Sequence, residues 1–141
     1  MKFLLAALNT KYIHSNPGIY SLYSYSVKRQ PSLAEYIEIA EYTINNQKGE
    51  ILADIYKRRP DAVGFSCYIW NIEMIRELIT ELKKLLPDTD IWVGGPEVTY
   101  DADQLLAEMP ELTGVMVGEG EATFYDCLLY TSPSPRDMRR S

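Results

Sequence analysis

The chain has 141 residues, 46% of them hydrophobic, which suits one globular domain with a single buried core. Its formal net charge of -6 leaves no broad positive field of the kind that attracts nucleic acid phosphates or anionic lipid. We therefore expect neither nucleic acid nor a membrane as a partner. The two cysteines, Cys67 and Cys127, are far apart in apolar segments, which indicates no disulfide framework or zinc site. The cytoplasm is the expected location.

The amino-terminal apolar run, residues 2–8, predicts a first strand that is buried on both faces. It ends at Asn9 and Thr10 without the small-residue cleavage pattern of a signal peptide. No apolar run in the chain approaches the about 20 residues that span a bilayer. Asn16 and Pro17 then predict the N-cap and the first position of a helix.

Short apolar runs and longer amphipathic stretches alternate along the rest of the chain, which is typical of a parallel sheet covered by helices on both faces. The clearest helix follows Asn71, its predicted N-cap, with apolar residues at spacings of three and four up to Leu86. The other predicted strands are residues 36–44, 62–66, 91–93 and 115–117, and the other predicted helices lie around residues 51–56, 105–109 and 122–129. This alternation predicts an α/β, flavodoxin-like doubly wound fold, whose five parallel strands have the order 2-1-3-4-5.

The composition changes abruptly after Leu129. Pro133 and Pro135 remove backbone donors, and Met138 is the only strongly apolar side chain beyond Tyr130. Such a segment gains too little from burial to offset the entropy of ordering its backbone. We therefore expect residues 1–129 to form the domain and residues 130–141 to be a disordered tail that is not native to it.

Ligands of doubly wound sheets bind at the carboxyl ends of the strands, at the switch point between the first and third. Gly94 and Gly95 follow the fourth strand, where the lack of side chains permits a flat ligand to approach the backbone closely. Replacing Gly95 with valine is therefore expected to abolish ligand uptake and to leave the fold intact. At the end of the third strand, Ser66 offers a hydroxyl close to Tyr68 and Trp70, which suits a ring with polar edges.

Residues 118–121 follow the fifth strand and open a helix, so their backbone N–H groups are placed to contact a polar ligand group. The glycine-rich phosphate-binding motifs are absent. The carboxylates of Glu119 and Glu121 also disfavour a polyphosphate.

His14 is the only histidine of the chain and has no cysteine or carboxylate constellation near it in sequence. One histidine alone indicates neither a metal site nor a catalytic triad. We therefore predict no catalytic residues and no metal ligands, and interpret the chain as a binding module.

Four stretches, taken together, resemble the amino-terminal domain of the cobalamin-dependent radical S-adenosylmethionine family. They are Ala-Leu-Asn-Thr-Lys-Tyr-Ile-His-Ser-Asn at residues 7–16, Val-Gly-Phe-Ser-Cys-Tyr-Ile-Trp-Asn-Ile at 63–72, Gly-Gly-Pro-Glu-Val at 94–98 and Gly-Glu-Gly-Glu-Ala-Thr-Phe at 118–124. The resemblance covers about residues 1–129. It implies a cobalamin-binding module that, in a complete enzyme, serves a radical domain in methyl transfer or a related reaction.

The resemblance also implies which residues contact the cofactor. Ser66, Gly94 and Gly95 would line the pocket of the nucleotide tail, while Thr10, Lys11, Tyr12 and Tyr68 would face the corrin or its amides. The remaining wall would consist of Pro96, Glu97, Val98, Gly118, Glu119, Gly120 and Glu121.

Two departures qualify the resemblance. The Asp-x-His-x-x-Gly motif that supplies a histidine to cobalt in another group of cobalamin proteins is absent around His14, so the cofactor is expected to be base-off with no protein histidine on cobalt. The Cys-x-x-x-Cys-x-x-Cys motif is also absent. The iron–sulfur cluster and S-adenosylmethionine would therefore belong to a missing radical domain of the same chain, and the fragment itself would not be catalytic.

Two other classes of function stay open from the residues alone. One is a flavodoxin-like or receiver-like regulatory domain that binds a small ligand, although Asn9, Thr10 and Lys11 do not form the acidic cluster of a phospho-receiver. The other is a structural or interaction domain whose pocket is empty.

Overall fold

A parallel sheet forms the centre of the computed structural model, which describes residues 2–10, 17–118, 120–129 and 138–140. Its strands are β1 (Phe3–Asn9), β2 (Ile37–Thr43), β3 (Ala62–Ser66), β4 (Asp90–Gly94) and β5 (Gly114–Met116). They are parallel to one another and lie in the order β2-β1-β3-β4-β5. The predicted fold class and strand order are confirmed, and the predicted strand bounds agree with the structure to within one residue.

Helices connect the strands and cover both faces of the sheet. They are α1 (Pro17–Arg29), α2 (Lys48–Arg58), α3 (Ile72–Leu85), α4 (Pro96–Thr99), α5 (Ala102–Glu108) and α6 (Glu121–Leu129), with an additional 3-10 helix at Pro31–Tyr36. The sequence did not predict α4 or the 3-10 helix, because each is too short to show a hydrophobic period. The predicted cap Asn16 lies outside the described residues. Among the helices that are described, none is long and apolar enough to cross a membrane.

The alternation of side chains along β1 divides the core into two layers. Leu4, Ala6 and Leu8 face the layer that is built with α2, α3 and α5, while Phe3 and Leu5 face the layer under α1 and α6. All five side chains are at most 2% exposed. Because β1 is buried on both faces, its sequence is continuously apolar instead of alternating.

Three residues of the expected tail do not behave as predicted. Met138–Arg140 forms a short strand, β6, that pairs antiparallel with β5 and adds a sixth strand at that edge of the sheet. An edge strand offers unpaired backbone N–H and C=O groups, which can pair with an extended segment whatever its side chains are. Residues 130–137 lie outside the described residues, and the domain boundary after Leu129 stays a prediction.

Candidate functional site

A groove lies on the face of the sheet under α1, at the carboxyl ends of the central strands. It encloses about 250 Å³. Its floor consists of Leu5, Gly64, Ser66, Trp92, Gly94 and Met116. Its walls include Gly18, Ile19 and Leu22 of α1, Tyr68 after β3, and Gly118 and Gly120 before α6. We call this feature the glycine groove, and it lies over β3, β4 and β5, next to the switch point between β1 and β3 at which doubly wound sheets bind ligands.

The floor of the glycine groove lacks a side chain at Gly94, where β4 ends, and at Gly64 of β3, where a ring carbon of Phe3 lies 3.1 Å from the position a Cβ would take. Gly64 pairs with Leu5 on one side and with Trp92 on the other, and Ser66 pairs with Gly94. A Cβ built at Gly94 would lie 3.4 Å from the Met116 carbonyl oxygen, an ordinary contact, so the fold leaves room for a side chain there. The bare floor is thus space that a ligand could use, with the Ser66 hydroxyl beside it.

Gly95 has a structural role that the sequence analysis did not predict. Its backbone has φ 103° and ψ 173°, a region that is essentially restricted to glycine. A Cβ built there would lie 2.6 Å from the carbonyl oxygen of Cys67 and 2.9 Å from its amide nitrogen. The expectation that valine at Gly95 leaves the fold intact is therefore wrong. Gly95 permits close packing of two backbone segments. The sequence does not reveal this role, because it depends on a tertiary contact with Cys67 in another loop.

The backbone contact between these loops is fixed by hydrogen bonds. The Cys67 N–H donates to the Gly94 carbonyl at 2.7 Å, and the Glu97 N–H donates to the Cys67 carbonyl at 3.4 Å. The Thr99 hydroxyl donates to the Gly95 carbonyl at 2.8 Å. The end of β4 and the loop after β3 therefore form one rigid rim.

The opposite rim is formed by the turn between β5 and α6. Gly118 and Gly120 have φ of 79° and 86°, so both need the left-handed region that glycine adopts without cost. The Ser21 hydroxyl of α1 donates to Oε1 of Glu121 at 2.8 Å, which joins α1 to the start of α6. This bond ties together two walls of the groove. Glu121 thus has a partner within the protein.

An aromatic pair follows β3. The rings of Tyr68 and Trp70 stack with centroids 4.5 Å apart and an interplanar angle of 2°. Ile69 between them is 78% exposed and Trp70 is 42% exposed. An apolar surface next to the mouth of the groove is thereby open to a ligand or a partner.

The side chain of Asn71 holds this loop in place. Asn71 precedes α3, as predicted, but its side chain does not cap the helix. Its Nδ2 donates to the carbonyls of Leu8 at 3.0 Å and Ser66 at 3.1 Å, and its Oδ1 accepts from the Tyr68 N–H at 2.8 Å. One buried amide therefore ties together the ends of β1 and β3 and the aromatic loop.

The structure brings some of the predicted site residues together and separates others. Those that line the glycine groove are Ser66, Tyr68, Gly94, Gly95, Pro96, Gly118 and Gly120. Val98 is instead buried in the core layer of α2 and α3. Glu97 lines a separate polar depression with Arg76 and Glu108. Thr10 is partly buried after β1, while Lys11, Tyr12, His14 and Glu119 lie outside the described residues.

Several groove residues escaped the sequence analysis. Gly64 and Trp92 lie two positions before Ser66 and Gly94, on the same face of their strands, so strand alternation was a usable signal. Leu5, Leu22 and Met116 gave no such signal, because apolar residues in strands and helices are mostly core.

Neither a metal site nor a reactive thiol is evident in the described part of the chain. No group of three or more metal-ligating side chains occurs among these residues. Burial raises the pKa of the Cys67 thiol, and the negative charge of Glu97 raises it further. A thiol held neutral in this way is a poor nucleophile.

Comparison with protein families gives a match to the model described as B12 binding domain over residues 9–128. The 2-(S-pantetheinyl)-carbapenam-3-carboxylate methyltransferase of Streptantibioticus cattleyicolor is 30% identical over 70 residues, which are 50% of this chain and 10% of that protein. The cobalamin-dependent radical SAM methyltransferase TokK of Streptomyces tokunonensis is 29% identical over 69 residues, 49% of this chain and 10% of TokK. The chain thus spans only a small part of the length of these relatives.

Solved structures show the same fold. The cobalamin-dependent S-adenosylmethionine radical enzyme OxsB, solved with aqua-cobalamin and S-adenosylmethionine bound, superposes with a TM-score of 0.71 at 17% identity, over 90% of this chain and 18% of OxsB. A cobalamin-binding protein from Desulfitobacterium hafniense DCB-2 superposes with a TM-score of 0.51 at 19% identity, over 76% of this chain and 48% of that protein.

Proposed function

The chain belongs to the B12-binding domain family, and from this premise we propose that its glycine groove holds the nucleotide tail of cobalamin. The observation that carries the proposal is the bare floor at Gly94, where no side chain covers the backbone beside Ser66. A flat aromatic base on this floor would contact the main chain directly, and the Ser66 hydroxyl could donate to a ring nitrogen. Ile19 and Leu22 of α1 would cover the base and exclude water from it.

The size of the groove supports a division of the cofactor between two places. The volume of the groove, about 250 Å³, is smaller than the ~300–1,000 Å³ of pockets that enclose a whole drug-sized ligand. It therefore suits the base and not the macrocycle. The corrin would lie outside, over the carboxyl edge of the sheet, where the exposed surface of Ile69 and Trp70 begins. Thr10, Lys11 and Tyr12 of the first loop, with Tyr68, would contact the corrin or its amides.

We infer that the cofactor is bound base-off and without a protein nitrogen on cobalt. A base that occupies the groove cannot at the same time coordinate cobalt, and the chain has one histidine, His14, without the motif that presents it to the metal. In the cobalt(II) form, electron paramagnetic resonance should show no nitrogen superhyperfine splitting. The His14→Ala variant should give the same spectrum. A nitrogen splitting that disappears in His14→Ala would overturn this part of the proposal.

We propose that the parent protein is a cobalamin-dependent radical S-adenosylmethionine methyltransferase, as TokK is named. When bound, cobalamin supplies one-carbon transfer at cobalt. This chain would bind and orient the cofactor. The rims that are fixed by Asn71 and by the Ser21–Glu121 hydrogen bond would orient the corrin toward a second domain. With two cysteines, the chain cannot itself provide the three-cysteine cluster motif, so that domain would hold the iron–sulfur cluster and S-adenosylmethionine.

Retention of the cofactor tests the proposal. The purified chain is incubated with hydroxocobalamin, desalted, and its visible spectrum is recorded against the protein concentration. We expect a stoichiometric complex for the wild type and a large loss in Gly94→Ala, which places a methyl group on the floor. Gly49→Ala is the matched control, because a Cβ at Gly49 meets nothing within 4 Å. Equal retention by Gly94→Ala and Gly49→Ala would place the cofactor elsewhere, and no retention by the wild type would overturn the function.

A further inference from the structure

The polar groups available inside the glycine groove are few. In the described part of its lining, no side chain is charged and none carries a carboxamide. The hydroxyl of Ser66 is at the floor, and Tyr68 stands at the aromatic rim. Trp92, whose indole carries one N–H donor, also lines the groove, and the rest of the surface that faces a ligand is aliphatic, aromatic or backbone.

Three backbone carbonyls around the groove already have a donor within the protein. The Gly94 carbonyl accepts from the Cys67 N–H at 2.7 Å, and the Gly120 carbonyl accepts from the Phe124 N–H at 2.7 Å. The Gly95 carbonyl accepts from the Thr99 hydroxyl. A ligand amino group could therefore use only the second lone pair of these oxygens.

Given the proposed function, on which this inference rests, we propose that the groove selects among cobamides by their lower base, accepting benzimidazole and disfavouring purine. Off the metal, dimethylbenzimidazole has a single free ring nitrogen, which one hydroxyl such as that of Ser66 can satisfy. Its methylated edge is apolar and matches Leu5, Leu22 and Met116. Adenine instead brings an exocyclic amine and several ring nitrogens, which need more polar partners than the side chains of Ser66, Tyr68 and Trp92 supply.

The size of the expected discrimination follows from the cost of burying unpaired polar groups. Each buried group that loses its water without gaining a partner weakens binding by roughly tenfold or more. We therefore expect the adenine cobamide to bind at least about tenfold more weakly than cobalamin. Cobinamide, which lacks the nucleotide, should also bind more weakly than cobalamin, because the groove would stay empty.

Isothermal titration of the chain with cobalamin, adenine cobamide and cobinamide tests the inference. Cobalamin that binds at least tenfold more tightly than both other ligands supports it. Equal affinities for cobalamin and the adenine cobamide would overturn the selectivity and leave the proposed function standing. If cobinamide binds as tightly as cobalamin, or if none of the three binds, the tail is not held in the groove, and the proposed function fails with the inference.

A variant that tolerates the adenine base better than the wild type provides an independent test of the selectivity. Leu22 is partly buried on α1, and its Cδ2 lies 3.7 Å from the position of a Cβ at Gly120. Leu22→Gln adds an amide to the wall and should reduce the ratio of the two cobamide affinities severalfold. Leu22→Met is the matched control and should keep the wild-type ratio. A ratio that does not change in Leu22→Gln, in a variant that melts like Leu22→Met, would contradict the inference.

Discussion

Ser66 and Gly94 lie opposite each other across β3 and β4, so the floor of the glycine groove has one hydroxyl beside a position without a side chain. On the far side of Gly94, Gly95 packs its backbone against Cys67. The two adjacent glycines therefore have different roles. Gly94 leaves space for a ligand, and Gly95 permits the turn.

Alanine substitutions separate these two roles. Gly94→Ala should keep the melting temperature close to that of the wild type, because its Cβ would make only ordinary contacts with Met116. It should weaken cobalamin binding about tenfold or more, since a methyl group would overfill the floor. Gly95→Ala should instead lower the free energy of unfolding by about 1–3 kcal/mol, because the backbone adopts a glycine-only conformation. Urea unfolding and titration of both variants check this. The assignment fails if Gly95→Ala is as stable as Gly94→Ala.

Replacing Asn71 with aspartate should be strongly destabilising. Asn71 is 1% exposed, and its Nδ2 donates to the carbonyls of Leu8 and Ser66. A carboxylate at this position has no N–H to donate, and its negative charge would lie against the carbonyl oxygens of Leu8 and Ser66. This lowers the free energy of unfolding by about 2–4 kcal/mol.

Asn46→Asp is the matched control for that variant. The Asn46 side chain is partly buried and accepts from the Thr43 N–H at 2.8 Å through Oδ1, a bond that aspartate retains. It should unfold within about 0.5 kcal/mol of the wild type. An equal loss of unfolding free energy in Asn71→Asp and Asn46→Asp would show that the hydrogen bonds donated by Asn71 do not account for the destabilisation.

The Cys67 thiol predicts how stability depends on pH. Its pKa is raised in the fold by burial, while an unfolded cysteine ionises near pH 8.5. Above that pH the unfolded state binds fewer protons than the folded state, so stability falls as the pH rises. The limiting slope is about 1.4 kcal/mol per pH unit.

Urea unfolding between about pH 7.5 and 9, where unfolded tyrosines with a pKa near 10 are still mostly protonated, measures the onset of this dependence. A Cys127→Ser background leaves Cys67 as the single thiol. Adding Cys67→Ala to that background should flatten the dependence, although the protein will be less stable at every pH. A slope that survives in the double variant would assign the effect to another group.

The tail is expected to contribute little stability. Within residues 130–141, the structure describes only the three residues of β6, which pair with the edge strand β5. Truncation after Leu129 should lower the melting temperature by less than about 4 °C, the shift that corresponds to roughly 1 kcal/mol in a domain of this size. A larger decrease in calorimetry would place the tail within the domain.

The sequence predicts the layers of this fold well, because strands buried on both faces and the strongly periodic α3 leave clear patterns. The sequence also predicts which loops lie around the groove, because the carboxyl ends of parallel strands lie on the same edge of the sheet. It does not predict the contact between Gly95 and Cys67 or the three hydrogen bonds of Asn71. Both depend on how two loops distant in sequence pack together, and neither leaves a periodic signal.

The most direct test of the site is nuclear magnetic resonance of the cobalt(III) complex, which is diamagnetic, with methyl-labelled protein. Nuclear Overhauser contacts between the ring protons of the lower base and the methyl groups of Leu5, Leu22 and Met116 would place the base in the glycine groove. The methyl groups of Ile79 and Leu82, which lie in the core on the opposite face of the sheet, are the internal control. We predict contacts to the first set and none to the second. A bound cobalamin whose base shows no contact with the first set would contradict the proposed site.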